Sequence, residues 1–249
     1  MKSQNSSHPE FSVIIPTLQE ERVLPRTLAQ FTPALKQRYS LEIIVSDGGS
    51  KDETLSMAHI GTYIVIEAVE GVRQTIAMGR NAGAAASHGS ILVFIDADVL
   101  IDDIEQFFET LHSIISDPKT VGITCNVQVY QAEERFSDKF FHQFYNRYFY
   151  FLNMIGIGMG RGECQVIRKS TFIEAGGFNE AMAAGEDFEM FTRLKKLGHV
   201  IFAHALTVRE SPRRFRKFGY LYMSGLWFMN ALSVWLFHKP VVSQWKVVR

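Results

Sequence analysis

Short apolar runs alternate with polar or amphipathic segments in the first half of the chain. Runs typical of buried strands occupy residues 11–16, 41–45, 63–66 and 91–95. Helices are predicted between them at about 20–36, 52–59 and 71–87; Pro25 fits only a first helical turn, and Pro33 is expected to end the first helix. Strand–helix alternation of this kind is typical of βαβ units, so the pattern predicts an α/β fold with a mainly parallel central sheet flanked by helices.

The second half of the chain is less regular. A helix is predicted at 104–115, followed by a strand at 121–130 and an aromatic segment at 136–154. A glycine-rich segment, 156–162, precedes a predicted strand at 163–167. A further helix is expected to begin at 185–187 and to end near 197–198, before a strand at 200–203.

Polar clusters follow the first, second and fourth predicted strands, at 17–21, 47–52 and 96–98. Because parallel strands end at a common edge of the sheet, and ligands bind beyond that edge, the three clusters predict one binding site. Asp96 and Asp98 leave the fourth strand on the same side, with Cα atoms about 6–7 Å apart. A divalent cation would remove the repulsion between the two carboxylates and could hold phosphate oxygens.

Composition limits the class of protein. The chain has 249 residues, of which 47% are hydrophobic, enough for one large domain with or without an appendage. Lys and Arg number 26, as do Asp and Glu, so nothing in the charge balance favours nucleic-acid binding. Cys125 and Cys164 lack metal-ligand spacing and are expected to be reduced. The polar segment 1–10 lacks the apolar core of a signal peptide, so a cytoplasmic location is expected.

The motifs, taken in order, resemble those of the family-2 glycosyltransferases, which have the GT-A fold. The resemblance covers about residues 11–214 and implies a catalytic domain at 11–212, with a Rossmann-like nucleotide-binding half (11–98) and an acceptor half (99–212). A polar tail (1–10) and a basic, aromatic helical extension (213–249) flank it. The matching motifs are Val13-Ile14-Ile15-Pro16-Thr17, Asp47-Gly48-Gly49-Ser50, Arg80-Asn81-Ala82-Gly83, Asp96-Ala97-Asp98, Ala175-Gly176-Gly177-Phe178 and Gly185-Glu186-Asp187.

Asp96-Ala97-Asp98 looks like the DxD motif of that family. The resemblance implies that Asp96 and Asp98 hold Mn²⁺ or Mg²⁺ on the diphosphate of a nucleotide sugar, where the cation neutralises charge on the leaving group. A late histidine completes the metal shell in some relatives, and His204 is the candidate here. The alternative for Asp96 and Asp98 is that they are ordinary loop acids at a strand end. The alternative for His204 is a histidine at a strand end whose hydrogen bonds are satisfied within the fold.

The resemblance also implies nucleotide contacts. Pro16, Thr17 and Glu20 match the first nucleotide-binding loop, and Asp47 matches the acid that contacts the base or ribose. An Asx-type turn is the alternative for Asp47. Arg80 matches a basic residue near the nucleotide; otherwise it could complement the dipole at the end of a helix.

Asp187 is the candidate catalytic base. It follows Gly185 and Glu186 at the start of a predicted helix, where the helix N-terminus favours an ionised carboxylate. The resemblance implies that this residue deprotonates the acceptor hydroxyl, which then attacks the anomeric carbon with inversion. The alternative is that Glu186 and Asp187 are simply acids of a first helical turn.

The C-terminal segment allows several interpretations. Arg213 and Arg214 match arginines that some relatives place near the diphosphate, but they could also form a basic collar beside a membrane. The next residues, 218–237, carry no formal charge and include Trp227 and Trp235. This segment could lie at a bilayer surface, pack against the domain or a second subunit, or span a membrane.

Together these features predict a metal-dependent, inverting glycosyltransferase that uses a UDP- or GDP-sugar, as in polysaccharide or glycolipid biosynthesis. The expected acceptor is a sugar, a lipid-linked compound or another compound with a hydroxyl or phosphate group. The segment 213–237 could make peripheral contact with the cytoplasmic face of a membrane. The protein could also form a homo-oligomer. A sugar-phosphate nucleotidyltransferase would need a glycine-rich loop after the first strand, and a dehydrogenase would need a G-x-G-x-x-G motif. The sequence has neither, so both classes of enzyme are disfavoured. A non-catalytic nucleotide-binding protein of the same fold is the remaining alternative.

Overall fold

The computed structural model describes residues 8–60, 64–72, 74–182, 184–237 and 248. Tyr63, most of the predicted N-terminal tail and the end of the C-terminal extension lie outside the described residues, as does the side chain of Trp235. The strands are β1 (Phe11–Thr17), β2 (Leu41–Asp47), β3 (Ile64–Glu67), β4 (Ile91–Ile95), β5 (Leu100–Ile101), β6 (Thr120–Val129), β7 (Cys164–Arg168) and β8 (His199–Glu210). The helices are α1 (Leu24–Leu28), α2 (Pro33–Arg38), α3 (Thr54–Ile60), α4 (Ile76–Ala86), α5 (Ile104–Ile115), α6 (Phe136–Met154), α7 (Lys169–Glu174), α8 (Glu186–Leu197), α9 (Arg213–Phe218) and α10 (Tyr220–Phe237).

All eight strands form one sheet in the spatial order β3-β2-β1-β4-β7-β6-β8-β5. β1 runs parallel to both β2 and β4, and β2 runs parallel to β3. β7 is antiparallel to β4 and to β6, whereas β6 and β8 are parallel to each other. The predicted α/β fold is confirmed, and β7 is an antiparallel strand at the centre of the sheet.

Hydrophobic side chains cover both faces of this sheet. Val13 and Ile15 of β1 belong to one buried cluster, which α1, α2 and α5 complete, and Ile14 belongs to a second cluster beneath α4, α7 and α8. Because side chains alternate along a strand, a strand buried on both faces has a continuous apolar run. Cys125 and Cys164 are free and buried on the neighbouring strands β6 and β7.

The predicted single helix at 20–36 is wrong, because the structure has two short helices there, α1 and α2. Pro25 lies in the first turn of α1, as expected. Pro33, however, begins α2: the Thr32 side chain accepts a hydrogen bond from the Leu35 N–H at 3.2 Å and caps the second helix. Proline is well suited to a first helical position, so it marks a start here rather than an end.

Other element boundaries also differ from the sequence prediction. α4 begins at Ile76 rather than near residue 71, since the Thr75 side chain caps its first turn by accepting from the Met78 N–H. β8 extends to Glu210, well beyond the predicted strand at 200–203, and its pairing with β6 is interrupted after Cys125. The short elements β5 and α7 have no counterpart in the sequence prediction, whereas α9 begins the predicted helical extension at 213–249.

α6, α9 and α10 are held together by an aromatic cluster and a buried ion pair. Phe141 of α6 packs against Phe215 of α9 and Met223 of α10. Asp138 is fully buried and accepts hydrogen bonds from Arg216 and Tyr220, so the pKa of its carboxyl is held well below the ordinary range by these partners. The basic α9 is thereby anchored to the domain.

Over residues 220–230, whose side chains the structure describes, one face of α10 packs against α6. Met223 is buried, whereas Leu221, Tyr222, Phe228 and Met229 are exposed. Among the residues that the structure describes, none of the helices combines the length and hydropathy needed to cross a bilayer. The described part of α10 is therefore a helix docked on the domain that also presents an apolar face.

Candidate active site

The polar residues predicted to meet at one sheet edge do so. Thr17 and Asp47 are directly paired at the carboxyl ends of β1 and β2. Asp96 follows β4, which runs parallel to β1. Since β7 is antiparallel, its first residue, Cys164, lies opposite Ile95 at the same edge. The acids after β4 therefore face residues from the second half of the chain.

Arg80 is the central cation of this edge. Its side chain is only 1% exposed, and its guanidinium donates to Asp96 Oδ1 at 3.0 Å, to Glu186 Oε1 at 2.8 Å and to the Gly162 carbonyl at 2.8 Å. The interpretation of Arg80 as a residue at the end of a helix is wrong, because it lies in the first half of α4. Instead, the hydrogen bonds of Arg80 to Asp96 and Glu186 link the acid after β4 to α8, the helix that contains the candidate base Asp187.

Asp187 lies in the first turn of α8, whose N-cap, Gly185, has a positive φ of 81° that glycine adopts without strain. Its Oδ1 accepts a hydrogen bond from the Phe188 N–H at 2.8 Å. Its Oδ2 faces Gly162: a Cβ added to that glycine would lie 3.6 Å from Oδ2 and 3.5 Å from the Arg80 guanidinium.

Burial and the nearby Glu186 charge raise the pKa of Asp187 to about 7, against the opposing effects of Arg80 and the helical N–H. The expected stabilisation of the ionised form by the helix is therefore outweighed by burial. A carboxylate that titrates near neutrality is well matched to a general base.

Asp98 is bound from the other side by Arg213. Arg213 Nη2 lies 3.3 Å from Asp98 Oδ2, and its two terminal nitrogens each donate to one Glu20 oxygen at 2.6 Å. The charges of Arg213 and Arg214 oppose the rise in pKa that burial causes at Glu20 and Asp98. Arg213 thus lies at the acidic motif, while Arg216 pairs with Asp138.

Asp96 and Asp98 have the chemistry expected of a divalent-cation site. Burial is the main cause that raises the pKa of each carboxyl to about 6; the Asp98 charge raises that of Asp96 further, and the Glu20 charge raises that of Asp98. Each carboxylate meets its arginine through one oxygen atom. Two such carboxylates suit Mn²⁺ or Mg²⁺, and phosphate oxygens and water can supply further ligands.

His204 is not brought to these acids. Its ring packs against Tyr150 and Phe202, with centroids 4.2 and 5.0 Å away, and the residue is exposed. No three His, Cys, Asp or Glu side chains in the described part of the chain are grouped as a metal site. His204 lies within β8, beside the register shift that follows Ala203, rather than at the strand end expected from the sequence.

The Asp47 carboxylate forms its hydrogen bonds within the turn after β2 and with the neighbouring strand end. Oδ1 accepts from the Thr17 hydroxyl at 3.1 Å and the Ser50 hydroxyl at 2.5 Å, and Oδ2 accepts from the backbone N–H groups of Gly49 and Ser50 at 3.0 and 2.8 Å. A carboxylate offers about four acceptor positions, and all are occupied. The Asx-type turn describes Asp47 in this structure, and the turn holds the Pro16–Thr17 strand end in place.

Several charged residues near the site were not identified from sequence. Glu163 directly precedes β7 and Glu210 ends β8, so both lie at strand ends. Their position relative to the site depends on strand directions that apolar patterns do not reveal. The unidentified charged residues are Arg161, Glu163 and Glu210, and the neutral His142 lies beside them. Glu186 appears in the sequence analysis only as part of its motif, and the structure makes it the partner of Arg80.

Comparison with known proteins gives a consistent result. The model of the family "Glycosyl transferase family 2" matches residues 12–176. A probable glycosyltransferase, YdaM of Bacillus subtilis, is 25% identical over 222 residues, which cover 84% of this chain and 52% of YdaM. The human dolichyl-phosphate beta-glucosyltransferase is 26% identical over 150 residues, covering 54% of this chain and 46% of that protein. The chain thus spans about half the length of these relatives.

A solved structure shares the fold. The mannosyltransferase PcManGT from Pyrobaculum calidifontis, in complex with GDP-Man and Mn²⁺, superposes with a TM-score of 0.64 at 21% identity. The superposition covers 83% of this chain and 58% of that protein.

Proposed function

Because the chain belongs to glycosyl transferase family 2, we propose that it moves a sugar from a UDP- or GDP-sugar to an acceptor hydroxyl with inversion at the anomeric carbon. The observation that carries this proposal is the pair of contacts made by Arg80, which donates to Asp96 at 3.0 Å and to Glu186 at 2.8 Å. These contacts hold the start of α8, and with it Asp187, beside the DxD acids. A donor bound at Asp96 and Asp98 would then lie next to a base.

Asp187 performs the proton transfer in this proposal. Its ionised carboxylate accepts the proton of the acceptor hydroxyl, and the hydroxyl oxygen forms a bond to the anomeric carbon. The bond from that carbon to the diphosphate breaks, and both of its electrons leave with the nucleoside diphosphate. Attack from the face opposite the leaving group inverts the configuration.

The opposite side of the site binds the diphosphate. Asp96 and Asp98 would hold the cation, which when bound supplies positive charge to the leaving diphosphate. Arg213 and Arg214 carry guanidinium groups that suit phosphate oxygens. Arg213 is bound to Glu20 and Asp98, so donor binding would exchange part of that pairing for phosphate contacts.

Transfer is expected to increase as pH rises through about 7. The raised pKa of Asp187 means that its carboxyl is protonated, and inactive as a base, below that pH and ionised above it. The measurement is kcat/KM between about pH 5 and 9 at saturating metal. A rate that stayed constant over the acidic half of this range would show that the essential base is another group.

The donor class can be identified by thermal stability. UDP-, GDP-, CDP- and dTDP-sugars are each added with Mn²⁺ or with EDTA, and one nucleotide class is expected to raise the melting temperature by several degrees only with the metal. The proposal would be contradicted if none of the donors stabilised the protein. Stabilisation without turnover for any acceptor would instead indicate a binding protein.

The apolar face of α10 supports a second part of the proposal, peripheral membrane contact and a lipid-linked acceptor. Exposed Leu221, Tyr222 and Phe228 follow the exposed Lys217 of α9, and a cation beside an apolar helix face is typical of helices that bind anionic bilayers. Vesicles containing phosphatidylglycerol are expected to sediment the protein, and high salt is expected to release it. Phe228→Gln should weaken sedimentation several-fold, whereas Ile173→Gln, at an exposed position on α7, should not. Absence of vesicle binding together with dimerisation would assign this face to a second copy.

A further inference from the structure

A second polar cluster lies beside the acids of the proposed active site. Arg161 Nη2 lies 3.1 Å from Glu163 Oε1 and 3.8 Å from Glu210 Oε1, so two carboxylates share one guanidinium. His142 Nε2 lies 3.9 Å from the same Glu210 oxygen. Arg161 and His142 are buried, whereas the side chains of Glu163 and Glu210 remain 16% and 14% exposed. The carboxylates therefore form the accessible face of the cluster, and the two bases form its floor.

Backbone contacts place this cluster next to the DxD acids. The Glu163 carbonyl accepts from the Asp96 N–H at 3.4 Å. The Glu210 carbonyl accepts from the Tyr130 N–H at 3.1 Å, and the Tyr130 hydroxyl donates to the Asp98 carbonyl. Gly162, the residue before Glu163, faces the base: a Cβ added to it would lie 3.6 Å from Asp187 Oδ2. Glu163 is thus close to both the donor acids and the base, where an acceptor hydroxyl must lie.

The cluster also has unused hydrogen-bonding capacity. Both ring nitrogens of His142 and Glu210 Oε1 are buried and have no hydrogen-bond partner among the described residues. Buried polar atoms are rarely left unpaired in folded proteins. A neutral imidazole offers one donor and one acceptor, and the pKa of His142, lowered to about 3 mainly by burial, keeps the ring neutral. Because these three atoms are enclosed, an acceptor hydroxyl can pair only with the exposed parts of the Glu163 and Glu210 carboxyls.

The charge of the surroundings selects among acceptors. Burial and the Glu163 charge raise the pKa of Glu210 well above its ordinary value, so its carboxyl is neutral and offers a donor as well as an acceptor. Arg161 lowers the pKa of Glu163 against the effect of burial, and this pairing occupies the Arg161 guanidinium. A phosphate group entering from this side would meet the ionised Glu163 and the ionised base Asp187 with Arg161 already paired, whereas an uncharged hydroxyl can donate to Glu163 and pair with the Glu210 carboxyl.

We propose that Glu163 and Glu210, held in place by Arg161, bind hydroxyl groups of the acceptor, and that the reacting end of the acceptor is an uncharged polyol or saccharide rather than a phosphomonoester. This inference rests on the proposed glycosyltransferase function and narrows its substrate class. A free saccharide and the sugar headgroup of a glycolipid share this chemistry.

The test compares neutral and phosphorylated acceptors. With the donor and Mn²⁺ supplied, release of the nucleoside diphosphate is measured with glycerol, the methyl glycosides of glucose, galactose and mannose, octyl glucoside, glycerol 3-phosphate and glucose 6-phosphate. At least one neutral compound is expected to stimulate release with a KM at least about tenfold lower than that of its phosphorylated counterpart. A lower KM for octyl than for methyl glucoside assigns the acceptor to a glycolipid, and equal values assign it to a free saccharide.

Isosteric variants test the two carboxylates directly. Glu163→Gln is expected to raise the KM for the neutral acceptor about tenfold or more, because a hydrogen bond to a charged group is lost. Glu210→Gln exchanges a neutral carboxyl for an amide and is expected to raise this KM about threefold, and in both variants kcat should change less than KM. Glu109→Gln removes an exposed carboxylate that binds Arg38 and should change neither constant. Saturation-transfer NMR of the methyl glycosides, which needs no donor, is expected to lose signal in the same two variants.

The inference and the proposed function fail in different ways. Preference for the phosphorylated compounds, an unchanged KM in both variants, or no neutral acceptor despite donor binding would overturn the acceptor assignment alone. Absence of donor binding, with methyl glycosides still detected by NMR, would overturn the transferase proposal instead.

Discussion

Asp187→Asn is expected to lower the rate of sugar transfer by about 100-fold or more. The substitution keeps the size of the side chain but removes the atom that accepts the proton. Asp187 makes its contacts with Phe188 and the Arg80 environment rather than with the DxD acids, so nucleotide affinity should change by less than about threefold. Single-turnover rates and a nucleotide titration of the same protein measure the two effects separately.

A matched control lies on the same helix. Glu189→Gln neutralises a carboxylate of α8 whose partner is Arg193, at 2.6 Å, and transfer should remain within about twofold of the parent protein. Equal rates in the parent protein and Asp187→Asn would place the base elsewhere. A loss of nucleotide binding together with transfer would mean that Asp187 supports the donor site rather than the acceptor proton.

Asp98→Asn is expected to abolish the Mn²⁺-dependent part of donor binding and to reduce transfer by about 100-fold or more. An amide offers one neutral oxygen where the carboxylate offers two charged ones, so the affinity of the pair Asp96–Asp98 for a hard divalent cation falls steeply. The measurement is the donor-induced rise in melting temperature with Mn²⁺ and with EDTA. The two conditions should give the same value in this variant.

Asp102→Asn serves as the control for that experiment. Asp102 lies four residues further along and also pairs with an arginine, Arg209, so the variant removes an arginine-bound carboxylate without touching the DxD motif. It should keep the metal-dependent shift. A metal-dependent shift that survived in Asp98→Asn would remove this residue from the cation site.

The arginine between the two halves of the site explains why the acids need not repel one another before substrate binds. Arg80 lies among Asp96, Glu186 and Asp187, and its charge lowers the pKa values of both Asp96 and Asp187. Burial nevertheless raises both above their ordinary values. A further positive charge beside Asp96 is therefore favourable, and Asp187 can take up a proton near neutral pH.

Strands buried on both faces were predictable from sequence, and β1, β2 and β4 agree closely with the apolar runs. The bounds of α5 agree as well, because Asp103 caps its first turn and the apolar face repeats through Ile115. The prediction of a single helix at 20–36 was wrong because Thr32 and Pro33 together start a second helix. The antiparallel direction of β7 follows from packing between distant segments, which local patterns do not encode.

The site shows the same division. Asp96, Asp98 and Asp187 could be nominated from the sequence because each lies in a short local motif, and the Asx-type turn that occupies Asp47 was one of its two sequence-based interpretations. The pairing of Arg80 with Glu186 could not be predicted, since it spans 106 positions of the chain. The cluster of Glu163 and Glu210 depends in turn on β7 and β8 meeting at one edge.

The central claim is that the acids after β4 bind a cation that stabilises the departing diphosphate. The most direct measurement is a crystal structure of the protein with Mn²⁺ and the donor found by thermal stability. The account predicts manganese bound to Asp98 and to oxygens of the diphosphate, with the anomeric carbon on the side of Asp187. Manganese bound away from Asp98, or a donor seated elsewhere, would contradict it.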